Sequence, residues 1–179
     1  SRCVSLRLLQ LISRLLWAYT EPEPRAALLR SAVRAVQSLE LGKVNVMDPD
    51  ARTMVALVLR MARLSKAVPA ESEALFRALL DGALAAVKEE PDRFREEDGA
   101  RAPAVAGALW KVCAIPQYRK LVQRHVEEVQ EQSADAALED TDAESLVVLW
   151  KYLASVETQA AGAADPATDD EATSQISVA

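Results

Sequence analysis

With 179 residues, half of them apolar, the chain has the length and hydrophobic content for one domain with a buried core. Few glycines, eight aromatics and abundant Ala, Leu, Arg and Glu favour helices, because these abundant side chains lose least on entering one. The net charge of −6 taken alone argues against free-standing nucleic-acid affinity, no β-branched run alternates with period two, and no apolar stretch nears the roughly 20 residues that span a bilayer, so strands and a membrane span are not expected.

Residues 1–20 hold Arg2, Arg7 and Arg14, no acid, and apolar residues at Val4, Leu8, Leu11, Leu15 and Ala18, a spacing that predicts a helix burying that face. An Arg-rich, acid-free amphipathic start is also the character of a mitochondrial presequence, and a chain opening on Ser1 rather than Met fits a processed product or a piece of something longer. We expect the structural role, a first helix handing over to a partner. Glu21-Pro22-Glu23-Pro24 ends it and starts the second helix, with Pro tolerated and acids favoured in the first turn. That helix runs to about Leu39, with Leu28, Ser31, Ala32, Ala35, Val36 and Leu39 on one side, and Gly42 is its natural stop.

Asp48-Pro49-Asp50 opens the next pair, either aspartate being able to cap the helix Ala51 to Ser65, whose inward residues are Met54, Val55, Leu57, Val58, Met61 and Leu64. After Val68-Pro69 comes its partner, Ala70 to Lys88, in which Gly82 marks a close approach. Glu89 to Arg101 is a charge-dense polar loop. Ala102 to Cys113, the turn Ile115-Pro116, and Gln117 to Gln132 with Tyr118, Leu121, Val122, His125, Val126 and Val129 inward make the third pair. Asp140-Thr141-Asp142 is expected to cap a fourth leading helix, about 143–157, whose own partner is expected to be absent or to lie outside the chain. Residues 158–179 are too poor in large apolar side chains to bury a core and are expected to be a disordered acidic tail.

One pattern repeats through this order. Ala108-Leu109-Trp110-Lys111, Val148-Leu149-Trp150-Lys151 and Leu15-Leu16-Trp17-Ala18 place every tryptophan in one context, and Val58-Leu59-Arg60-Met61-Ala62 matches with Arg60 at the tryptophan position. Positions 17, 60, 110 and 150 are 43, 50 and 40 residues apart. A period near 40 with two helices per unit predicts an all-α fold, an α-solenoid of antiparallel helix pairs with about three and a half units, 1–42, 48–89, 102–132 and 142–157, in one domain over 1–157. The tryptophans fall on the apolar side and are expected in the core.

A leading helix with Leu-Trp at its middle and a second helix after a short turn resembles the octotricopeptide and heptatricopeptide repeat proteins and the related FAST-kinase-like leucine-rich helical region, over about residues 3–157. The resemblance implies RNA binding in a mitochondrion or plastid, as a processing factor or as a scaffold in a mitochondrial ribosome or editing complex.

The acidic average conceals a basic first third: residues 1–66 carry a net +6 and residues 133–179 a net −9. Phosphate binding needs clustered cations whose counterions can be released. The candidates are Arg7, Arg14, Arg25, Arg30, Arg34, Arg52, Arg60 and Arg63, joined by Lys111 and Lys151 at equal positions after their tryptophans, which stacking would bring into a row. Arg14, Arg60, Arg63, Lys111 and Lys151 are the expected RNA-binding set. Against it stands the ordinary role of such charges as the solvated outer face of a helix.

Nothing in the sequence predicts catalysis. His125 is the single histidine, among Val122, Val126 and Val129, and is expected as a partly buried helix residue. Cys3 and Cys113 are too few for a disulfide framework or metal site, and Cys113 is expected as a small buried side chain. Glu89-Glu90 and Glu96-Glu97-Asp98 are carboxylate pairs in a loop, suited to solvation rather than acid/base work. The expectation is a non-catalytic helical-repeat protein without cofactor, metal or small-molecule substrate. It would act in an organellar ribonucleoprotein, in a mitochondrion or alternatively a plastid or the cytoplasm, with RNA, ribosomal RNA included, and protein subunits as partners. The alternative is a HEAT- or armadillo-like protein scaffold with no RNA contact.

Overall fold

The computed structural model describes residues 2–19, 21–95, 101–135 and 141–163. Seven α-helices follow one another: α1 (Arg2–Ala18), α2 (Pro22–Ser38), α3 (Ala51–Leu64), α4 (Pro69–Glu89), α5 (Ala104–Cys113), α6 (Pro116–Asp135) and α7 (Thr141–Ala163), with short 3-10 turns at Ser65–Ala67 and Pro91–Phe94. No strand occurs among the described residues; the nearest thing is an isolated antiparallel bridge between Asn45 and Pro103. Proline stands first in α2, α4 and α6, where its fixed φ suits the helix and its missing N–H would have had no partner. Helix α7 continues six residues beyond 157, to Ala163. The rest of the expected tail and Asp140 lie outside the described residues.

Two rows of helices pack together. In one, α1 lies on α3 and α3 on α5; in the other, α2 lies on α4 and α4 on α6. Helix α4 is the centre, since α2, α5, α6, α7 and the turn 91–94 all pack against it. Its buried residues Ser72, Leu75, Phe76, Leu79, Leu80, Ala83, Ala86 and Val87 recur at intervals of three and one, which gives a stripe wide enough for neighbours on several sides. In a one-dimensional stack each pair touches only the next, whereas α7 packs directly on α4 of the second pair. These contacts establish an all-α bundle and do not by themselves display the solenoid.

Close approach at the centre depends on glycine. A Cβ on Gly42 would come within 3.1 Å of the Gly82 carbonyl oxygen and 3.3 Å of Ala86 Cβ, and one on Gly82 would meet Val105 Cγ2 at 3.4 Å. The contact at Gly82 is of ordinary van der Waals length, so the tight approach is that of Gly42 to the Gly82 carbonyl and Ala86. Gly42 serves this approach rather than ending α2: the left-handed residue after that helix is Glu40, with φ of 50°.

Residues 91–95 of the expected polar loop form a tie, while Glu96, Glu97 and Asp98 lie outside the described residues. Phe94 is buried and meets Tyr152 edge to face at 5.5 Å between ring centroids. Arg93 donates to the Gly42 carbonyl at 3.0 Å, to the Arg101 carbonyl at 3.1 Å and to Asn45 Oδ1. One guanidinium thus joins the turn after α2 to the approach to α5, where Ala104 N–H also donates to the Val44 carbonyl at 2.7 Å.

A second polar cluster sits inside. Ser65 Oγ donates to the Ala62 carbonyl at 2.7 Å and lies 2.7 Å from Tyr118 Oη, while Ser72 Oγ reaches the Ser65 carbonyl at 2.8 Å. Tyr118, Ser65 and Ser72 are all buried, so this network fixes the start of α6 against the α3–α4 turn. Asp48 acts in a turn and not as a helix cap: its Oδ1 accepts from the Asp50 N–H at 3.1 Å, and Asp50 makes no side-chain cap bond.

Two expectations about α1 and α2 are corrected. Helix α1 buries Ser5, Leu9, Ile12, Ser13 and Leu16, one position round from the predicted face, and leaves Val4, Leu8 and Leu11 exposed at 65%, 41% and 53%. The run Leu8-Leu9-Gln10-Leu11-Ile12 supports either stripe by periodicity alone, and packing on α2 and α3 selects the one containing two small serines, which let helices approach. In α2, Ser31 is exposed and Leu28 only half-buried, Leu29 taking the inward place.

Candidate nucleic-acid interface

Helices α1, α3 and α5 contain no acidic residue and carry Arg2, Arg7, Arg14, Arg52, Arg60, Arg63 and Lys111, all exposed. Because α1 packs on α3 and α3 on α5, three sequence segments far apart in the chain become one layer whose charge has a single sign. Helix α6, of the other row, also packs on α5, and its first eleven residues carry Arg119, Lys120 and Arg124 before the first acid, Glu127.

The other row differs. Arg30 pairs with Glu71 at 3.1 Å, and Arg77 lies 3.4 Å from Glu73 and 3.8 Å from Glu128. Arg25 is half-buried and donates to the Leu16 carbonyl at 3.3 Å, so it closes the α1–α2 hairpin. Among the described residues Arg60, Arg63, Lys111 and Arg119 form no ion pair, which leaves their charge available to a polyanion.

The tryptophans are not core residues, which corrects the expectation that they would be. Trp17 is 67% exposed, with the Arg60 guanidinium carbon 5.8 Å from its ring centroid. Trp110 and Trp150 are half-buried against the core. The core positions of the motif are the preceding leucines, Leu16, Leu109 and Leu149, each at 0% exposure. A helical residue and its successor point about 100° apart, so burying the Leu of Leu-Trp turns the indole toward the edge of the interface.

Two hollows open beside α5, one toward α3 and one among α5, α6 and α7. One, of about 480 Å³, is lined by Leu59, Arg63, Trp110, Lys111, Ile115 and Pro116. The second, of about 440 Å³, is lined by Trp110, Cys113, Arg119, Val122, Trp150 and Leu153. Trp110 and Ala114 belong to both and form their common wall. Of the five expected cations, the structure therefore gathers Arg63 and Lys111 at one hollow and sets Arg60 on Trp17. Arg14 and Lys151 are exposed but line neither hollow.

Sequence reading passed over Arg119 and the exposed indoles. A signal existed: residues 51–70 and 99–126 are as free of acid as residues 1–20, and these windows became the basic layer and its edge.

Titration adds little reactivity. Burial pushes the Cys113 thiol from an ordinary 9.0 up to about 12, so it is a neutral, half-buried lining group. His125 is half-buried, meets Phe76 edge-on with centroids 6.4 Å apart, has Nε2 unpartnered, and is held below its ordinary value by burial and then by Arg77. Side chains of Val126 and Val129 lie outside the description. Among the described residues no group of three His, Cys, Asp or Glu is placed to hold a metal ion, and no helix is long and apolar enough to cross a membrane.

Comparison with protein-family models, curated proteins and solved structures returned no match. The basic layer combines exposed cations that form no ion pair among the described residues, one exposed and two half-buried indoles, and concave apolar floors.

Proposed function

We propose that the chain is a non-catalytic helical-repeat protein of about three and a half units that binds RNA on the layer formed by α1, α3 and α5, as part of an organellar ribonucleoprotein such as a mitochondrial ribosome or an RNA-processing complex. The observation that carries the reading is that these three contacting helices expose seven cations and contain no acid, within a chain of net charge −6. Each phosphate neutralised by such a layer releases condensed counterions, and surface indoles add sequence-tolerant stacking to single-stranded bases. The negative overall charge comes chiefly from residues 133–179, net −9, and not from α1, α3 or α5.

The test is fluorescence anisotropy of a mixed single-stranded RNA pool across a salt series. Binding at low salt that weakens steeply with added salt, with the slope flattened by about two units in an Arg60/Arg63/Lys111 triple alanine variant, supports the reading, since single strands lose about 0.7 in slope per phosphate contact. No binding at low salt removes it.

A second reading, a protein scaffold without RNA contact, draws on one observation. Val4, Leu8 and Leu11 form an exposed apolar stripe on α1 at the spacing a partner helix would cover. Salt-independent capture of protein with no RNA affinity would favour it.

A further inference from the structure

The hollow between Trp110 and Trp150 has a composition that the basic layer alone does not explain. Its two indoles come from equivalent positions of the third and fourth leading helices, 40 residues apart, and both are only half-buried. Val122 and Leu153 close it with apolar surface, Cys113 adds a neutral sulfur, and Arg119 is the single charged group among its described lining residues. At about 440 Å³ it falls within the roughly 300–1,000 Å³ of small-molecule sites. It shares Trp110 and Ala114 with the neighbouring hollow, whose rim carries Arg63 and Lys111.

We propose that this hollow receives one unstacked base of a single-stranded RNA, with the indoles of Trp110 and Trp150 contacting the base and Arg119 binding an adjacent backbone phosphate; the proposal rests on the RNA reading above. A flat heterocycle with a π-face suits indole walls, and the phosphate attached to it suits an unpaired guanidinium. An aliphatic side chain of a protein partner would fill the floor but leave Arg119 without a counterpart. A duplex keeps its bases stacked inside, so only a single strand or a loop can splay one into the hollow. The strand then continues over Trp110 toward Arg63 and Lys111, which places phosphates on the cations of the next hollow. Among the described lining residues the polar side-chain groups are the Arg119 guanidinium, the Cys113 thiol and the two indole N–H groups, a set without a strong acceptor, so shape and stacking hold the base with little choice among the four.

The deciding experiment compares an oligoriboadenylate with an abasic oligomer of the same length, each titrated against the full chain at one low salt concentration. The pocket predicts that the base-bearing strand binds at least about tenfold tighter, the equivalent of one stacked base. Trp150→Leu should remove most of that advantage while leaving affinity for the abasic strand unchanged, and the exposed-site change Arg119→Gln should weaken both strands. Equal affinities on the unaltered chain overturn the base pocket and leave the basic layer's phosphate binding standing; absence of binding to either strand overturns both. Equal affinities on the unaltered chain overturn the pocket even if Trp150→Leu disturbs folding, and Trp17→Leu, at an exposed indole outside the hollow, should leave most of the base-dependent advantage in place.

Discussion

Arg60 stands over the indole of Trp17, its guanidinium carbon 5.8 Å from the ring centroid. The two residues hold the same place in two occurrences of the recurring sequence pattern, and the occurrence without a tryptophan supplies a cation to the tryptophan before it. Both are exposed, which limits the attraction to about 0.5–1 kcal/mol. A double-mutant cycle of Trp17→Ala and Arg60→Ala, read by urea unfolding, should return a coupling of that size. Additive single effects would show that the contact contributes nothing to stability.

Ser65 touches more of the interior than its size suggests, because it links the Ala62 carbonyl, Tyr118 and Ser72. Ser65→Ala removes the bridging partner from two buried hydroxyls and should cost about 1–3 kcal/mol. Tyr118→Phe removes a hydroxyl but leaves Ser65 bonded to Ala62 and Ser72, so about 1 kcal/mol is expected. Equilibrium denaturation of the two variants would have to reverse that order to refute the network as drawn.

Gly42→Ala should destabilise by about 1–3 kcal/mol through overpacking, since the new methyl carbon meets backbone at 3.1 Å and a side chain at 3.3 Å. Were the thermal midpoint of Gly42→Ala to match that of the native protein, the approach of the 39–46 turn to α4 would be looser than described.

Acid should loosen α6. His125 is held below its ordinary value in the folded chain by burial first and Arg77 second, with Glu128 and Asp81 opposing. The unfolded chain therefore takes up a proton near pH 6.5 while the folded one resists it, so stability is full above that pH and declines as pH falls toward the lowered folded value. Urea midpoints between pH 7 and 5 should decline, and less so in His125→Gln; an identical decline in both would assign the effect elsewhere.

The two thiols should separate by reactivity. Cys3 is exposed, whereas Cys113 is raised to about 12 by burial, so at pH 8 almost none of it is thiolate. Brief iodoacetamide treatment followed by mass spectrometry should label Cys3 and spare Cys113 until denaturant is added. For the same reason Cys113 contributes stability that is complete below pH 9 and is lost as pH rises toward 12, because the unfolded thiol ionises first.

Helix class, helix order and most turn positions were legible in the residues, because prolines at helix starts and three- and four-residue apolar spacing act locally. The α3 face around Met54, Val58 and Met61 was legible for the same reason. The α1 face was not: Leu8, Leu9, Leu11 and Ile12 allow two stripes, and only the neighbours α2 and α3 choose. The indoles were misplaced by a related ambiguity, since Leu-Trp carries two apolar residues and one faces the core.

By itself the sequence determined an all-helical chain, its element order, a recurring Leu-Trp context and three acid-free windows, since composition and short-range periodicity depend on residues close together in the chain. Only the tertiary structure decided that α4 is the centre, that Arg93 ties the turns on either side of it, and that the acid-free helices lie side by side as one basic layer with Trp110 and Trp150 at its hollows. Those outcomes depend on which stripe of each helix finds a complementary neighbour, a matter of packing between residues tens of positions apart that no local pattern encodes.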